Sequence, residues 1–215
     1  MVRRLLRQAA LLVLLAGRAG AESFMLPTFK AGTLGLGVHL GAAVPGDSDG
    51  FANRAGRGPS VGLRFTRFMN DWLALGGELG AELFLKHKSS LTPGPAKDVV
   101  FDASAFFAGA LARVNLFENS PWSPYLLGGA GMNRLSVKGT APAPVCWPVA
   151  GACAPGVNAS SMGLYVTGGG GVEFFFLRGM SASAEARWRQ YRGDGRKVPG
   201  VADSVSVTLG TTFWF

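Results

Sequence analysis

Acidic and basic residues recur at every second position in parts of this chain, and they are its most informative chemical groups. Glu78 and Glu82 are four residues apart, and Glu185, Arg187 and Arg189 alternate with Ala186 and Trp188. Residues two or four positions apart share one face of a β-strand. The full candidate set is Arg64, Glu78, Glu82, Glu173, Glu185, Arg187 and Arg189. Since buried charges persist only when paired, we predict a network of ion pairs, with a gated pore as the alternative.

Cys146 and Cys153 are the only cysteines and flank the segment Trp-Pro-Val-Ala-Gly-Ala. A metal site needs about four ligands, and no second Cys or His pair lies nearby. We therefore predict a disulfide between Cys146 and Cys153, which would stabilise a short loop by about 2 to 3 kcal/mol. His39 is predicted to be a hydrogen-bonded residue on a polar strand face. The sequence indicates no catalytic, cofactor-binding or metal-ligating residue.

The amino terminus has the pattern of a secretory signal peptide over residues 1–21. Arg3, Arg4 and Arg7 precede an apolar run, and Ala19-Gly20-Ala21 is a small-residue cleavage site. Removing this segment takes away four arginines, so the net charge falls from +8 to 21 − 4 − 13 = +4. The remaining Lys and Arg are scattered, which argues against nucleic-acid binding. Export also places the two cysteines in an oxidising compartment.

The composition of the remainder, residues 22–215, is unusual for a water-soluble domain. The whole chain is 48% hydrophobic and only 16% charged, with 32 glycines. No apolar run after the signal reaches the ~20 residues of a spanning helix. Only helices and closed barrels satisfy every backbone group in hydrocarbon. The composition therefore favours a transmembrane β-barrel, in preference to a soluble barrel with an apolar interior and a charged exterior.

The carboxyl terminus supports this interpretation, because apolar and small polar residues alternate there and the chain ends in Phe-Trp-Phe. Phe213 and Phe215 fall on the apolar face, and Trp214 on the other face. Similar alternation predicts eight strands. They lie near residues 34–43, 60–69, 72–85, 99–117, 125–138, 163–177, 182–191 and 204–215. For the fourth strand, Phe101 and Phe107 argue for one phase and Arg113 for the other, so its register stays open and allows a β-bulge.

The connections between these strands alternate between long and short. Long loops are predicted at 45–59, 86–98, 139–161 and 192–203, and short turns at 69–71, 118–123 and 178–180. This asymmetry is typical of outer-membrane barrels, which have short periplasmic turns and longer extracellular loops. Trp122, Tyr125, Phe213 and Phe215 are then expected in an aromatic girdle at the periplasmic boundary. The predicted fold class is an all-β, eight-stranded antiparallel up-and-down transmembrane β-barrel.

The chain resembles the small outer-membrane β-barrel domain family, which includes the membrane domain of outer membrane protein A and outer membrane proteins X and W. The resemblance rests on Ser123-Pro124-Tyr125-Leu126-Leu127-Gly128-Gly129-Ala130-Gly131, on Gly169-Gly170-Gly171-Val172-Glu173-Phe174-Phe175-Phe176, on Ala184-Glu185-Ala186-Arg187-Trp188 and on terminal Phe215. It implies a location in the outer membrane, with membrane lipid and the barrel assembly machinery as partners. It also implies that Phe215, together with Phe213, serves as the assembly signal.

The expected function is a non-enzymatic, envelope-structural or surface-interaction role for a monomer without a cofactor. One alternative is a narrow channel for small or apolar solutes. Another is a lipid-modifying enzyme, because His87-Lys88-Ser89 resembles the His-x-Ser pair of outer-membrane lipid A deacylases. That family carries its pair on a membrane strand and has Asn where Ser90 stands here. No third group that would orient the histidine is identifiable.

Overall fold

The computed structural model describes residues 30–46, 57–89, 99–117, 121–146, 153–177, 179–192 and 201–215. The strands are β1 (Leu34–Pro45), β2 (Gly58–Phe68), β3 (Leu73–Ser89), β4 (Val99–Asn115), β5 (Trp122–Cys146), β6 (Cys153–Leu177), β7 (Met180–Arg192) and β8 (Val201–Trp214). Each strand pairs antiparallel with the next, and β8 pairs with β1 to close the barrel. The predicted fold class is confirmed. None of the described residues forms a helix long and apolar enough to cross a membrane.

The strand register sets the width and tilt of the barrel. Cα partners starting from Leu34 run through Arg67, Leu75, Ala112, Gly128, Gly168, Trp188 and Val205 to Val44. The path returns to β1 displaced by 44 − 34 = 10 residues. For eight strands with about 3.3 Å per residue and about 4.8 Å between strands, this shear gives a tilt of about 41° and a backbone radius of about 8 Å. Side chains fill an interior of this width.

The two faces of the wall differ along every strand. In β7 the inward residues Ser183, Glu185 and Arg187 are buried, whereas the residues between them face out. Leu209 of β8 is 67% exposed on the outer face, and Leu40 of β1 is 59% exposed. Exposed aliphatic side chains in a continuous band suit a hydrocarbon environment. The polar side of each strand therefore builds the lumen, and the apolar side faces lipid.

Two short connections show why the chain reverses where it does. The Asn70 side-chain oxygen accepts hydrogen bonds from the backbone N–H groups of Trp72 and Leu73, at 3.2 and 2.7 Å. This Asx turn joins β2 to β3 within the turn predicted at 69–71. Gly179 has a φ of 79° between β6 and β7, a conformation that side chains with a Cβ rarely adopt. We call this end of the barrel the turn end and the opposite end the loop end.

Strands β5 and β6 are each 25 residues long, which corrects the loop predicted at 139–161. Their pairing continues to Cys146 and Cys153, with an irregularity between Thr140 and Val145. The Pro-rich sequence around that irregularity suggested a loop, because proline cannot donate to a strand ladder. The predicted loop 192–203 is also too long, since β8 begins at Val201, and the predicted turn 118–123 is too long because β5 begins at Trp122.

Strand β4 keeps one phase over its described side chains, so no bulge is needed there. Ala105, Phe107, Leu111 and Arg113 are all buried, while Phe106 is exposed. The two apparent phases arose from assigning Phe107 to lipid, whereas its ring lies in the lumen. The observed register irregularity is on β3, between Phe84 and His87. Residues 1–21, the predicted signal peptide, lie outside the described residues.

The lumen of the barrel as the candidate functional site

Among the described residues, the lumen holds four arginines and four glutamates, which cancel in formal charge. The buried charged residues are Arg64, Arg113, Arg187, Arg189, Glu78, Glu82, Glu173 and Glu185. The structure places all seven residues of the predicted set here and adds Arg113. Each of the four carboxylates forms an ion pair with at least one of the four guanidinium groups. This mutual pairing is what allows ionised groups to remain buried.

Glu185 is the centre of the network. The Arg64 Nη2 donates to both Glu185 carboxylate oxygens, at 2.9 and 2.8 Å, and the Tyr125 hydroxyl donates to Oε2 at 2.8 Å. Arg187 donates through Nε to Glu185 and through Nη1 to Glu78. Arg187 therefore bridges two carboxylates on opposite walls of the lumen.

Toward the loop end, Glu82 forms the second cluster. Its carboxylate accepts from Arg189, from the Tyr191 hydroxyl at 2.9 Å and from the Ser204 hydroxyl at 2.6 Å. Arg189 also lies 3.9 Å from Glu78, which connects this cluster to the central one. The Arg189 guanidinium carbon lies 4.2 Å from the centroid of the Phe107 ring. The inward phase of β4 thus supplies an aromatic face for a buried cation.

Toward the turn end, Arg113 and Glu173 form the third cluster. Arg113 donates to Glu173 through Nη2 and to the Asn115 side-chain oxygen through Nε, the latter at 2.8 Å. Ser181 donates to the other Glu173 oxygen. The Arg113 guanidinium carbon lies 3.9 Å from the centroid of the Tyr125 ring. Tyr125 therefore connects this cluster with Glu185 through its ring and its hydroxyl.

Aromatic side chains close the lumen at the turn end. The Trp214 ring packs against Phe68 and Phe175, with centroid separations of 5.6 and 6.2 Å. The Trp214 indole N–H donates to the Ser181 hydroxyl at 2.9 Å. The small polar face predicted for the last strand thus includes one large ring that seals the barrel.

His39 lies in the lumen but lacks the hydrogen bond expected for it. Its Cα partners are Gly62 on β2 and Gly210 on β8, which leave space for the ring. Neither ring nitrogen has a partner among the described residues, and the same holds for the Nε of Arg64 and of Arg189. These groups line a cavity of about 20 Å³. A volume of this size holds about one water molecule.

Tyr125 corrects one prediction about the aromatic girdle, because it is 1% exposed and points into the lumen. Trp122, three residues earlier on β5, faces outward and packs against Phe174, with the ring centroids 4.5 Å apart. Phe213 and Phe215 also face outward, as expected. Tyr125, Tyr165 and Tyr191 all donate to lumen carboxylates, a role that sequence reasoning missed. The available signal was their phase, since each lies on the charged face of its strand.

The remaining candidates lie beyond the lumen. Cys146 and Cys153 are directly opposed Cα partners at the end of the β5–β6 hairpin, but their side chains lie outside the described part of the structure. His87 and Ser89 were predicted to lie in the loop 86–98 but are among the last residues of β3, and their side chains are likewise not described. Among the described side chains, no group of three or more His, Cys, Asp or Glu could hold a metal ion.

Comparison with solved structures shows the same fold in other outer-membrane proteins. Neisserial surface protein A is 19% identical and aligns with a TM-score of 0.58 over 86% of this chain and 99% of its own. Ail, the attachment invasion locus protein of Yersinia pestis, was solved with the heparin analogue sucrose octasulfate. It is 12% identical, with a TM-score of 0.52 over 86% of this chain and 99% of its own.

A major outer membrane protein from Thermus thermophilus is also similar, with 12% identity and a TM-score of 0.54 over 85% of this chain and 99% of its own. No curated protein matches the sequence. The family model described as the outer membrane protein beta-barrel domain matches residues 9–213. Together with the closed eight-stranded barrel, this match shows that the chain is an outer-membrane protein and belongs to the outer membrane protein β-barrel domain family.

Proposed function

We propose that this protein is a non-enzymatic outer-membrane barrel that displays an extended β-sheet on the cell surface. The supporting observation is the lumen, where paired Arg and Glu side chains occupy the interior from Glu173 to Glu82. A barrel filled in this way is a rigid support for the β-sheet that extends from it. Its role is envelope-structural or surface-interaction, without catalysis.

The filled lumen argues against a channel for solutes. The cavity beside His39 has room for about one water molecule, and Trp214 with Phe68 and Phe175 blocks the turn end. We expect the unmodified protein to give no large, stable conductance in planar lipid bilayers. The variant Glu78→Gln/Glu82→Gln leaves Arg189 without an ion-pair partner and Arg187 with Glu185 alone, and is expected to conduct intermittently. A large stable pore in the unmodified protein would contradict the proposal.

The displayed sheet consists of the loop-end parts of β3, β4, β5 and β6. A tilted strand crosses a bilayer in about 9 to 11 residues, whereas β5 and β6 have 25 each and β3 and β4 have 17 each. The excess length continues as paired strands beyond the membrane. Since segment 140–156 contains no charged residue, it suits apolar or neutral partners better than polyanions such as the heparin analogue bound by Ail.

A disulfide between Cys146 and Cys153 would fasten the tip of this sheet. Directly opposed residues of antiparallel strands have Cα atoms about 4.5 to 5.5 Å apart, which lies within the range that disulfides span. The intact mass of the purified, unreduced protein after treatment with a thiol-alkylating reagent tests this. We expect no alkylation before reduction and two alkylated sites after it. Two free thiols in the unreduced protein would contradict the disulfide.

The display role is tested by trimming the hairpin. Residues 140–156 are replaced by Asn-Gly, which joins the paired residues Gly139 and Val157 in a tight hairpin turn. We expect the trimmed protein to assemble and to shift on gels upon heating. Cells that lack the protein should regain adherence to a surface when they produce the full chain, but not when they produce the trimmed one. If cells with the full and the trimmed protein adhere equally, and if only the resistance of the cells to detergent depends on the presence of the barrel, the role is structural. If neither property changes on deletion, the proposal is wrong.

A lipid-modifying activity is the competing function, and lipid composition separates it from display. Mass spectra of lipid A from cells with and without the protein should be identical under the present proposal. Loss of an acyl chain only in cells that contain the protein would favour the enzyme. Substitution of His87 or Ser89 would then be expected to abolish that loss.

A further inference from the structure

Two arginines on the outer surface near the loop end, Arg134 and Arg192, have no ion-pair partner among the described residues. Arg134 on β5 and Arg192 on β7 are both exposed, and the residues beside them in sequence that are described, Asn133, Leu135 and Tyr191, are buried. Both side chains therefore point away from the lumen. The six ion pairs found between two described side chains all lie inside the barrel.

The strand register places these two arginines at the same level. With a tilt of about 41°, each residue advances about 2.5 Å along the barrel axis and each step to the next strand adds about 3.1 Å. Arg134 and Arg192 then both lie about 28 Å from the level of Leu34 toward the loop end. The apolar band of such barrels is about 25 Å tall. The outward ring of Phe215, whose backbone bonds with Leu34, places the level of Leu34 at the turn-end boundary of this band. Both arginines therefore stand just beyond the hydrocarbon, where the lipid headgroups begin.

The surface between the arginines is apolar and belongs to β6. Arg134 is the Cα partner of Met162, and Arg192 is the partner of Leu164, two residues along the same strand. This register sets the two arginine Cα atoms about 12 Å apart. Met162 and Leu164 are 65% and 64% exposed. Arg134 and Arg192 therefore flank a strip of exposed apolar side chains on β6, and this strip continues toward the membrane.

The nearby charges leave these two arginines as the available cations. Lys138 is higher on β5 and has Asp102 as its Cα partner on β4, so an opposite charge already faces it. Asp203 on β8 is the Cα partner of Gln190, two residues before Arg192 on the side away from β6. Between Arg134 and Arg192 the described residues of β6 carry no acid. An anion bound between the two arginines therefore comes from outside the chain.

We propose that Arg134 and Arg192 bind the phosphate groups of a phosphorylated glycolipid in the outer leaflet, with its acyl chains against Leu164 and Val166, the exposed β6 residues on the membrane side of the two arginines. Guanidinium groups form charge-assisted, bidentate hydrogen bonds with phosphate oxygens. A headgroup with two phosphates at opposite ends engages both arginines at once. The site follows from the outer surface alone and is independent of the displayed sheet.

The test compares lipid binding by matched variants of the full-length protein in detergent, read by native mass spectrometry. The probes are diphosphorylated lipid A and the same lipid without its phosphates. We expect the unmodified protein to prefer the diphosphorylated lipid by about 30-fold, and Arg134→Gln/Arg192→Gln to lose this preference. Arg67→Gln is the control, because Arg67 is also exposed on the outer face but lies at the turn end.

Folding of every variant is checked by its heat-dependent shift on gels, and each result bears on the site. Retention of the preference in Arg134→Gln/Arg192→Gln would overturn the proposal. The same is true if the unmodified protein does not distinguish the two lipids, or if Arg67→Gln loses the preference equally. If the double variant does not fold, Arg134→Lys/Arg192→Lys serves instead. Lysine keeps the charge without the bidentate geometry, so a reduced but measurable preference is expected.

Discussion

Arginine occurs on both faces of the barrel wall, and the two sets meet opposite conditions. Arg64, Arg113, Arg187 and Arg189 are buried, and each pairs with a glutamate. Arg67, Arg134 and Arg192 are exposed on the outer face near the two membrane boundaries. A charge inside the lumen has no water to solvate it and must be paired within the chain. A charge on the outer face is solvated by lipid headgroups and water and needs no partner within the chain. Its removal therefore leaves no buried group unpaired.

The largest effect is expected at Arg187, because its loss leaves two buried carboxylates, Glu78 and Glu185, short of a partner. Arg187→Met should lower the free energy of unfolding by about 3 to 5 kcal/mol. Urea unfolding in phosphatidylcholine vesicles measures this. Arg192→Met, on the same strand but facing outward, is the control and should change it by less than about 1 kcal/mol. Equal effects of the two substitutions would remove the distinction between the faces.

A smaller loss is expected when a neutral donor is removed from the same network. Tyr125→Phe keeps the ring under Arg113 but removes the hydroxyl that donates to Glu185. The free energy of unfolding should fall by about 1 to 3 kcal/mol, the usual cost of leaving a buried acceptor short of a donor. The same urea titration serves as the measurement. An unchanged midpoint would mean that Arg64 and Arg187 satisfy Glu185 by themselves.

Glycine allows the same comparison without charge. A Cβ at Gly210 would lie 2.4 Å from His39 Nδ1 and 2.9 Å from Ser183 Oγ, whereas a Cβ at Gly168, on the outer face, meets nothing within 4 Å. Gly210→Ala should therefore destabilise the barrel by about 1 to 3 kcal/mol, and Gly168→Ala should be close to neutral. Combining Gly210→Ala with His39→Ala removes the shorter of these two contacts, so the two effects should not add.

Much of the lumen could be predicted because the strand period of two is a local property. The spacing of charged residues over a few positions is enough to predict that they share a strand face. This holds for Glu78 with Glu82, and for Glu185 with Arg187 and Arg189. The strand count and the barrel followed from the same alternation. The aromatic residues were harder to place, since a ring suits lipid and lumen equally well. Phe107 and Tyr125 face inward with the phase of their strands, and their rings contact Arg189 and Arg113 there. The contact between Phe107 and Arg189 joins β4 and β7, which are far apart in sequence.

Strand length was the other part that local pattern could not supply. Alternating hydrophobicity ends where the membrane ends, so the paired segments of β5 and β6 beyond it resemble a loop in sequence. Residues 141–144 include two prolines, yet the ladder resumes at Val145. The extension of β5 there depends on its pairing with β6, which the local sequence of β5 does not show. Arg134 and Arg192 were also unremarkable in sequence, because only the shear of the barrel places them at one level.

Phe215 is expected to have the smallest effect on stability, although it ends the chain. Its ring is 78% exposed, and its connection with β1 is through the backbone, where its N–H and C=O bond with Leu34 at 2.9 and 3.1 Å. Phe215→Ala keeps both hydrogen bonds and should change the free energy of unfolding by less than about 1 kcal/mol.

If the Phe215 ring is the signal for the barrel assembly machinery, the yield of heat-modifiable protein in cells should fall in Phe215→Ala, while its refolding in vesicles is unaffected. Phe213→Ala, which also removes an outward ring of β8, shows whether the loss is specific to the last residue. Normal assembly of Phe215→Ala in cells would assign the ring to the lipid boundary alone.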